Sequence, residues 1–211
     1  VFHRPPAEER NVIMAKTDVK SMTLEELQLF MGELGEPKFR AKQIFDWLHQ
    51  KQVDTFAEMT NLSQKLRERL EQEAKIGGVE MVERLLSKED DTRKYLFALE
   101  NGSIIESVLM QYDYGNTVCV STQAGCRMGC KFCASTLDGV ERSLTPAEIL
   151  SQVYTIQKDL GQRISGVVLM GSGEPLDNYD NVLRFIHLLN DPAGQNMGCL
   201  LYTSDAADDR I

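Results

Sequence analysis

Apolar residues recur at helical spacing once the polar, proline-containing opening of the chain has passed. Leu24, Leu27, Phe30, Met31 and Leu34 fall on one face, behind Thr23 and Glu26 in capping-box positions and ahead of Gly35, which stops the helix. Pro37 opens a second helix, with Phe39, Ile44, Phe45, Trp47 and Leu48 as its expected core side. A third runs from about Ser63 to Ala74 with Leu62, Leu66 and Leu70 facing inward. After Gly77-Gly78 the period shortens. Met81 to Leu86, Lys94 to Leu99 and Ser103 to Met110 read as strands, separated by Glu89-Asp90-Asp91 and by the hairpin signal Asn101-Gly102. They predict an antiparallel meander that leads into a short apolar run, Thr117 to Ser121.

The second half changes class. Thr145, Pro146 and Glu148 form a helix start, with Thr145 as N-cap, and that helix ends at Gly161. Val167 to Met170 is a short apolar run of the kind found in buried parallel strands, and a helix over Asn181 to Leu189 follows. Strand, loop, helix, strand, loop, helix makes two βα units of a parallel α/β fold. In such folds ligands bind at the carboxyl ends of the strands.

The chain thus divides into an extension (1–21) expected to lack order, a helical module (22–78), a meander (79–115), an α/β segment (116–199) and a tail (200–211). Met14 is a candidate natural start. A hydrophobic content of 42% fits a globular protein, and no run of about 18 apolar residues predicts a membrane span. The opening residues show no signal-peptide core, so a cytoplasmic location is expected. A net charge of −9 offers nucleic acid no bulk attraction, so any RNA contact must come from a local patch. Lys38, Arg40, Lys42 and Lys51 form one candidate edge, and a merely solvated face is the other account of them.

The chemistry concentrates in Cys126-Arg127-Met128-Gly129-Cys130-Lys131-Phe132-Cys133, preceded by Gly125. The C-x3-C-x2-C spacing lets a tight loop turn three thiolates toward three corners of an iron–sulfur cube, and Gly125 and Gly129 give it backbone freedom. A cluster held wholly by protein takes four cysteines, so three leave one iron open to a small molecule. Zinc would call for paired C-x2-C units or histidines, and His3, His49 and His187 lie far from the loop and from each other. One βα unit later stands a second candidate loop, Gly171-Ser172-Gly173-Glu174-Pro175, where turn carbonyls and the Glu174 carboxylate can accept hydrogen bonds from an ammonium group.

The cysteine spacing, with Phe132 before the third cysteine, resembles the radical S-adenosylmethionine (SAM) superfamily, in which SAM chelates the open iron through its amino and carboxylate groups. Gly173 and Glu174 match its SAM-contacting turn. The combination of residues 34–43 (LGEPKFRAKQ), 119–126 (CVSTQAGC) and 171–178 (GSGEPLDN) resembles the RlmN/Cfr family of radical SAM RNA adenine methyltransferases, more closely its RlmN branch. The resemblance covers about residues 22–199.

It implies a partial radical SAM (βα) barrel of two βα units, behind a small helical domain and the meander. It implies a [4Fe-4S] cluster on Cys126, Cys130 and Cys133, SAM at Phe132, Gly173 and Glu174, and an electron donor such as flavodoxin or ferredoxin. The family methylates C2 of an adenine in 23S rRNA and in certain tRNAs; the sister activity methylates C8, and Pro175 leans toward C2. One SAM methylates a cysteine near the family's C-terminus, and a second, cleaved at the cluster, yields the radical that activates that methyl group. Cys119 matches the cysteine that then releases product through a disulfide, and Glu106 matches the proton acceptor. Read without the resemblance, Cys119 is a small strand residue and Glu106 an ordinary strand carboxylate. The family runs longer than this chain, and Cys199 falls too early to be the methyl carrier. Four further βα units, the later SAM-ribose contacts and the methyl-carrying cysteine would follow residue 199 in the family, whereas residues 200–211 look foreign to it, so the chain alone is expected to be inactive. A non-enzymatic zinc or RNA-binding module using Cys119, Cys126, Cys130 and Cys133 is the alternative from another class.

Overall fold

A computed structural model describes residues 16–113, 115–198 and 202–203. The expectations for Met14 and for most of the opening and the tail lie outside these residues. What is described of the opening is ordered, contrary to expectation. β1 (Thr17–Asp18) and a 3-10 turn (Val19–Ser21) lead into α1 (Leu24–Glu33), and Val19 and Lys20 are buried. Short polar segments carry no periodicity, so only their packing partners reveal them.

The helices form where capping and apolar spacing place them. Thr23 and Glu26 exchange both bonds of a capping box at the start of α1, and Gly35 follows its end in the left-handed region. α2 spans Phe39–His49, and α3, capped by Ser63, spans Gln64–Glu73. Ile44, Phe45, Leu48, Leu62, Leu66 and Leu70 are buried, as their spacing requires. Phe39 is the exception at 57% exposed, and Trp47 is only partly buried. The first residue of a helix has no preceding turn to pack beside it, so position on the helical wheel misjudges Phe39. β2 (Ala74–Lys75) closes the module by pairing in parallel with β1.

The meander follows as β3 (Glu80–Leu86), β4 (Arg93–Ala98) and β5 (Ile104–Tyr112), all antiparallel, and β5 pairs with β6 (Gly115–Cys119). β7 (Gln123–Gly125) and β8 (Val140–Ser143) form a separate hairpin. α4 (Pro146–Leu160) carries the expected Thr145–Glu148 capping box and ends at Gly161. β9 (Gly166–Val168) lies parallel to β6; it is shorter than its apolar run, because Leu169 and Met170 leave the ladder and Met170 turns outward. α5 (Tyr179–Asn190) follows, and β10 (Tyr202–Thr203) pairs in parallel with β9. One six-stranded sheet results, in the order β10-β9-β6-β5-β4-β3.

The helical module packs directly on the α/β part, and polar contacts set the angle. Ser21 Oγ accepts from the backbone N–H of Ala147 at the start of α4 (3.0 Å), and Lys20 Nζ donates to Ser151 Oγ (3.0 Å). His49 Nδ1 lies 3.0 Å from the Tyr154 hydroxyl, Lys158 pairs with Asp54 at 2.7 Å, and Arg184 of α5 pairs with Glu26. No helix among the described residues is long and apolar enough to cross a membrane.

Candidate functional site

The end of β6 is where the site is built. Cys119 is its last residue, and Val120 to Thr122 carry the chain across to β7 through a fully interior stretch. The β7–β8 hairpin then brackets the cysteine loop. Cys126 N–H donates to Gly139 O (3.0 Å), and Cys133 N–H donates to Cys130 O (3.1 Å). Gly125 must be glycine here: its φ is +74°, and a Cβ would sit 2.1 Å from Gly139 O. Cys126 is buried, Cys133 half-buried and Cys130 exposed, and each is a free thiol.

The second loop locks onto the first by backbone. Thr122 N–H (2.9 Å) and Gln123 N–H (3.1 Å) both donate to Ser172 O, and Gly171 N–H donates to Val120 O (3.0 Å). Gln123 Oε1 accepts from Glu174 N–H (3.0 Å). At Gly173 the φ is +100°, and a Cβ would lie 2.6 Å from the Gln123 Cβ and 2.7 Å from its backbone nitrogen. Asp177, in the 3-10 turn Pro175–Asn178, reaches back to the cysteine loop through Arg127 (2.6 and 2.7 Å). That guanidinium, first, and then Gln123 hold the Asp177 carboxyl below the usual carboxylate range.

A cavity of about 820 Å³ opens between these loops and β5, walled by Glu106, Cys119, Cys133, Gly171 and Ser172 among others. Burial pushes the Cys119 thiol up, against a backbone hydrogen bond from Met170 that pulls it down, so it rests protonated at neutral pH. The exposed carboxylate of Glu106 sits 2.8 Å from Lys94 Nζ. Cys126, Cys130, Phe132, Gly173 and Glu174 do not line the cavity; Phe132 is 83% exposed, and the two turn residues pack against Gln123.

The donor set suits iron–sulfur chemistry: three soft thiols on one short loop, with no histidine or carboxylate among the spaced positions. Among the described residues no three His, Cys, Asp or Glu side chains converge on a single ion. A mononuclear zinc needs that convergence, whereas a cube takes each thiolate on its own iron. The same four cysteines that the zinc alternative would need are therefore not gathered. Cys119 is likewise free, so the expected disulfide has no counterpart among the described residues.

Gln152, on α4, belongs to no motif in the sequence and yet supports the site. Its side chain is fully buried. Nε2 donates to Ser121 O (3.0 Å), and Oε1 accepts from Ser121 N–H (2.8 Å) and Ser107 Oγ (2.7 Å). The available signal was a polar residue inside an otherwise apolar helical stretch, Ile149 to Val153.

Comparison with known proteins agrees with this architecture. Residues 17–76 match the family model of the ribosomal RNA large subunit methyltransferase N-terminal domain, and residues 120–211 match that of the radical SAM superfamily. A crystal structure of a radical SAM methyltransferase from Sphaerobacter thermophilus is similar with a TM-score of 0.83 and 34% identity, over 89% of this chain and 56% of that one. Fold and loops together thus define a radical SAM protein with an accessory helical module. Two relatives, from Lachnospira eligens (55% identical) and Clostridium perfringens strain 13 (58%), bear the name "Probable dual-specificity RNA methyltransferase RlmN", each matched over 86% of this chain. The helical module and the α/β part are thus both similar to the RlmN family within that superfamily. The chain spans about half the length of these relatives, 52% in both cases.

Proposed function

We propose that the chain is the cluster-binding and SAM-binding part of an enzyme that methylates C2 of adenine in 23S rRNA and in tRNA. The observation that carries this reading is the shared cavity, on whose wall Cys119, Glu106, Cys133 and the Gly171–Ser172 turn meet. Cys126, Cys130 and Cys133 would hold a [4Fe-4S] cluster, and Phe132, Gly173 and Glu174 would contact SAM. When bound, that pair supplies one-electron cleavage of a sulfonium, with the electron drawn from a carrier such as flavodoxin or ferredoxin. The chain's own residues do the rest of the positioning. Glu106, steadied by Lys94, takes the proton from the adenine ring. Cys119 keeps its proton until product release calls for a thiolate. An adenine stacked in RNA must be unstacked to enter the cavity, at a cost of a few kcal/mol.

The helical module is the RNA handle in this reading, through the outer face of α2. There Arg40 lies over the exposed Phe39 ring (4.9 Å) and Lys51 over Trp47 (3.5 Å), so cations and aromatic faces alternate on one surface. Anaerobic loading of the chain with iron and sulfide tests the core of the proposal. A brown protein whose reduced EPR spectrum changes on adding SAM supports it; a spectrum indifferent to SAM, or a colourless zinc protein, overturns it.

A further inference from the structure

We infer that Gln152 is a positioning residue that holds the three walls of the cavity in register, acting through Ser121. This rests on the reading of the cavity, together with the two loops that border it, as the SAM site.

Ser121 occupies the two-way junction between β6 and β7, where the chain has left one ladder and not yet joined the next. It is fully buried, so its peptide N–H and C=O must find partners inside the protein. The Gln152 carboxamide supplies both, at 2.8 and 3.0 Å, as a strand would. Ser107 Oγ donates to Gln152 Oε1 as well, which ties β5 to the arrangement, and the Ser121 N–H, which can only donate, fixes which end of the amide is oxygen. Held this way, Ser121 turns its own hydroxyl to the site. Oγ donates to Glu106 O (2.7 Å) and accepts from Ser172 N–H (2.8 Å). One serine therefore links the strand bearing Glu106 to the turn before Gly173, two residues beyond Cys119. The geometry is specific to glutamine: asparagine is one methylene short, and an ionised glutamate offers no donor for Ser121 O.

Gln152→Met leaves the Ser121 peptide without partners while keeping most of the volume. Its neighbour Val153, equally buried on α4 but outside the network, provides the control Val153→Ala. Two readouts are taken on the folded 1–211 chain. In the iron-loaded protein, the SAM concentration for half-maximal EPR change should rise about tenfold or more in Gln152→Met, and by less than about twofold in Val153→Ala. In the metal-free protein, alkylation of Cys119, followed by peptide mass spectrometry, should quicken in Gln152→Met and not in Val153→Ala. SAM binding unchanged in a folded Gln152→Met overturns the inference, and so does a Val153→Ala that behaves the same way. Should Gln152→Met not fold, Gln152→Glu replaces it. Its acid has the donor and acceptor of the amide while burial keeps it protonated and loses the donor on ionising, so SAM affinity should fall as pH rises toward about 9–10, and an affinity equal to the wild type across that whole range overturns the inference. If the wild-type chain binds no SAM, the reading of the cavity has failed, and the alkylation comparison alone decides whether Gln152 holds the β6 end.

Discussion

Arg127 and Asp177 meet as a two-point ion pair, Nε to Oδ2 at 2.7 Å and Nη2 to Oδ1 at 2.6 Å, joining the cysteine loop to the turn that follows Glu174. Planar fork against carboxylate fixes direction as well as distance. Arg127 is largely exposed, so the pair adds little to global stability, and its value lies in where it holds the loop.

Asp177→Ala should therefore lower the iron retained through gel filtration after anaerobic loading, by about half or more, while the thermal midpoint moves by less than about 2 °C. Arg127→Lys should not restore what Arg127→Ala loses, because an ammonium cannot reproduce the fork. Equal iron retention in Asp177→Ala and wild type would remove the loop-holding role.

His49 makes the docking of the helical module sensitive to acid. Burial, and then the charge of Lys20, push its pKa down to about 3, and Nε2 has no hydrogen-bond partner among the described residues. The folded pKa lies below the ordinary value, so between about 6.5 and 3 the unfolded chain binds a proton that the folded chain refuses. Stability from this group is complete above pH 6.5 and drains away as pH falls, at up to about 1.4 kcal/mol per pH unit. Urea midpoints measured from pH 7 to pH 4.5 should drop more steeply for the wild type than for His49→Gln. Parallel slopes would show that another group controls the acid limb.

Gly173 and Gly102 share a positive φ, +100° and +88°, yet differ in what surrounds them. Gly102 has open space where a Cβ would go; Gly173 has the backbone and side chain of Gln123. Alanine at Gly102 should cost about 1 kcal/mol of hairpin strain and leave the site alone. Alanine at Gly173 must push the turn off β7, so the SAM-induced EPR change should disappear while the cluster absorbance persists. A Gly173→Ala protein that binds SAM normally would contradict the close packing of the two loops.

Much of this arrangement is legible in the residues. The capping boxes at Thr23 and Thr145 mark both helix starts because they are local, and Asn101-Gly102 marks its hairpin for the same reason. The cysteine spacing is legible because all three thiols fall within one short loop. What escaped depends on distant partners. β7 is three residues long with Gln123 buried at its start, and nothing in Gln-Ala-Gly announces a strand until Arg142 and Ser143 lie beside it. Gln152 looks like a stray polar residue until the unpaired peptide of Ser121 is seen beneath it. Val19 and Lys20 are buried because α2, α4 and α5 all pack on the turn they form.

The four described cysteines can be separated by substitution, because their places differ. Cys126, Cys130 and Cys133 lie on the loop, whereas Cys119 ends β6 with its thiol held protonated by burial. In the proposed cluster, alanine at any one of the loop cysteines removes a ligand from a set of three, and the absorbance of the iron-loaded chain near 400 nm should fall to a small fraction of wild type. Cys119→Ala removes a thiol that binds no iron in this arrangement. Its cluster absorbance and its EPR response to SAM should match the wild type, while methyl transfer by the intact enzyme should stop at product release. A zinc module would sort the same variants differently, since all four thiols would then be ligands and Cys119→Ala would lose metal as readily as Cys130→Ala. Metal content per chain, measured for iron and zinc in all four variants, distinguishes the two patterns.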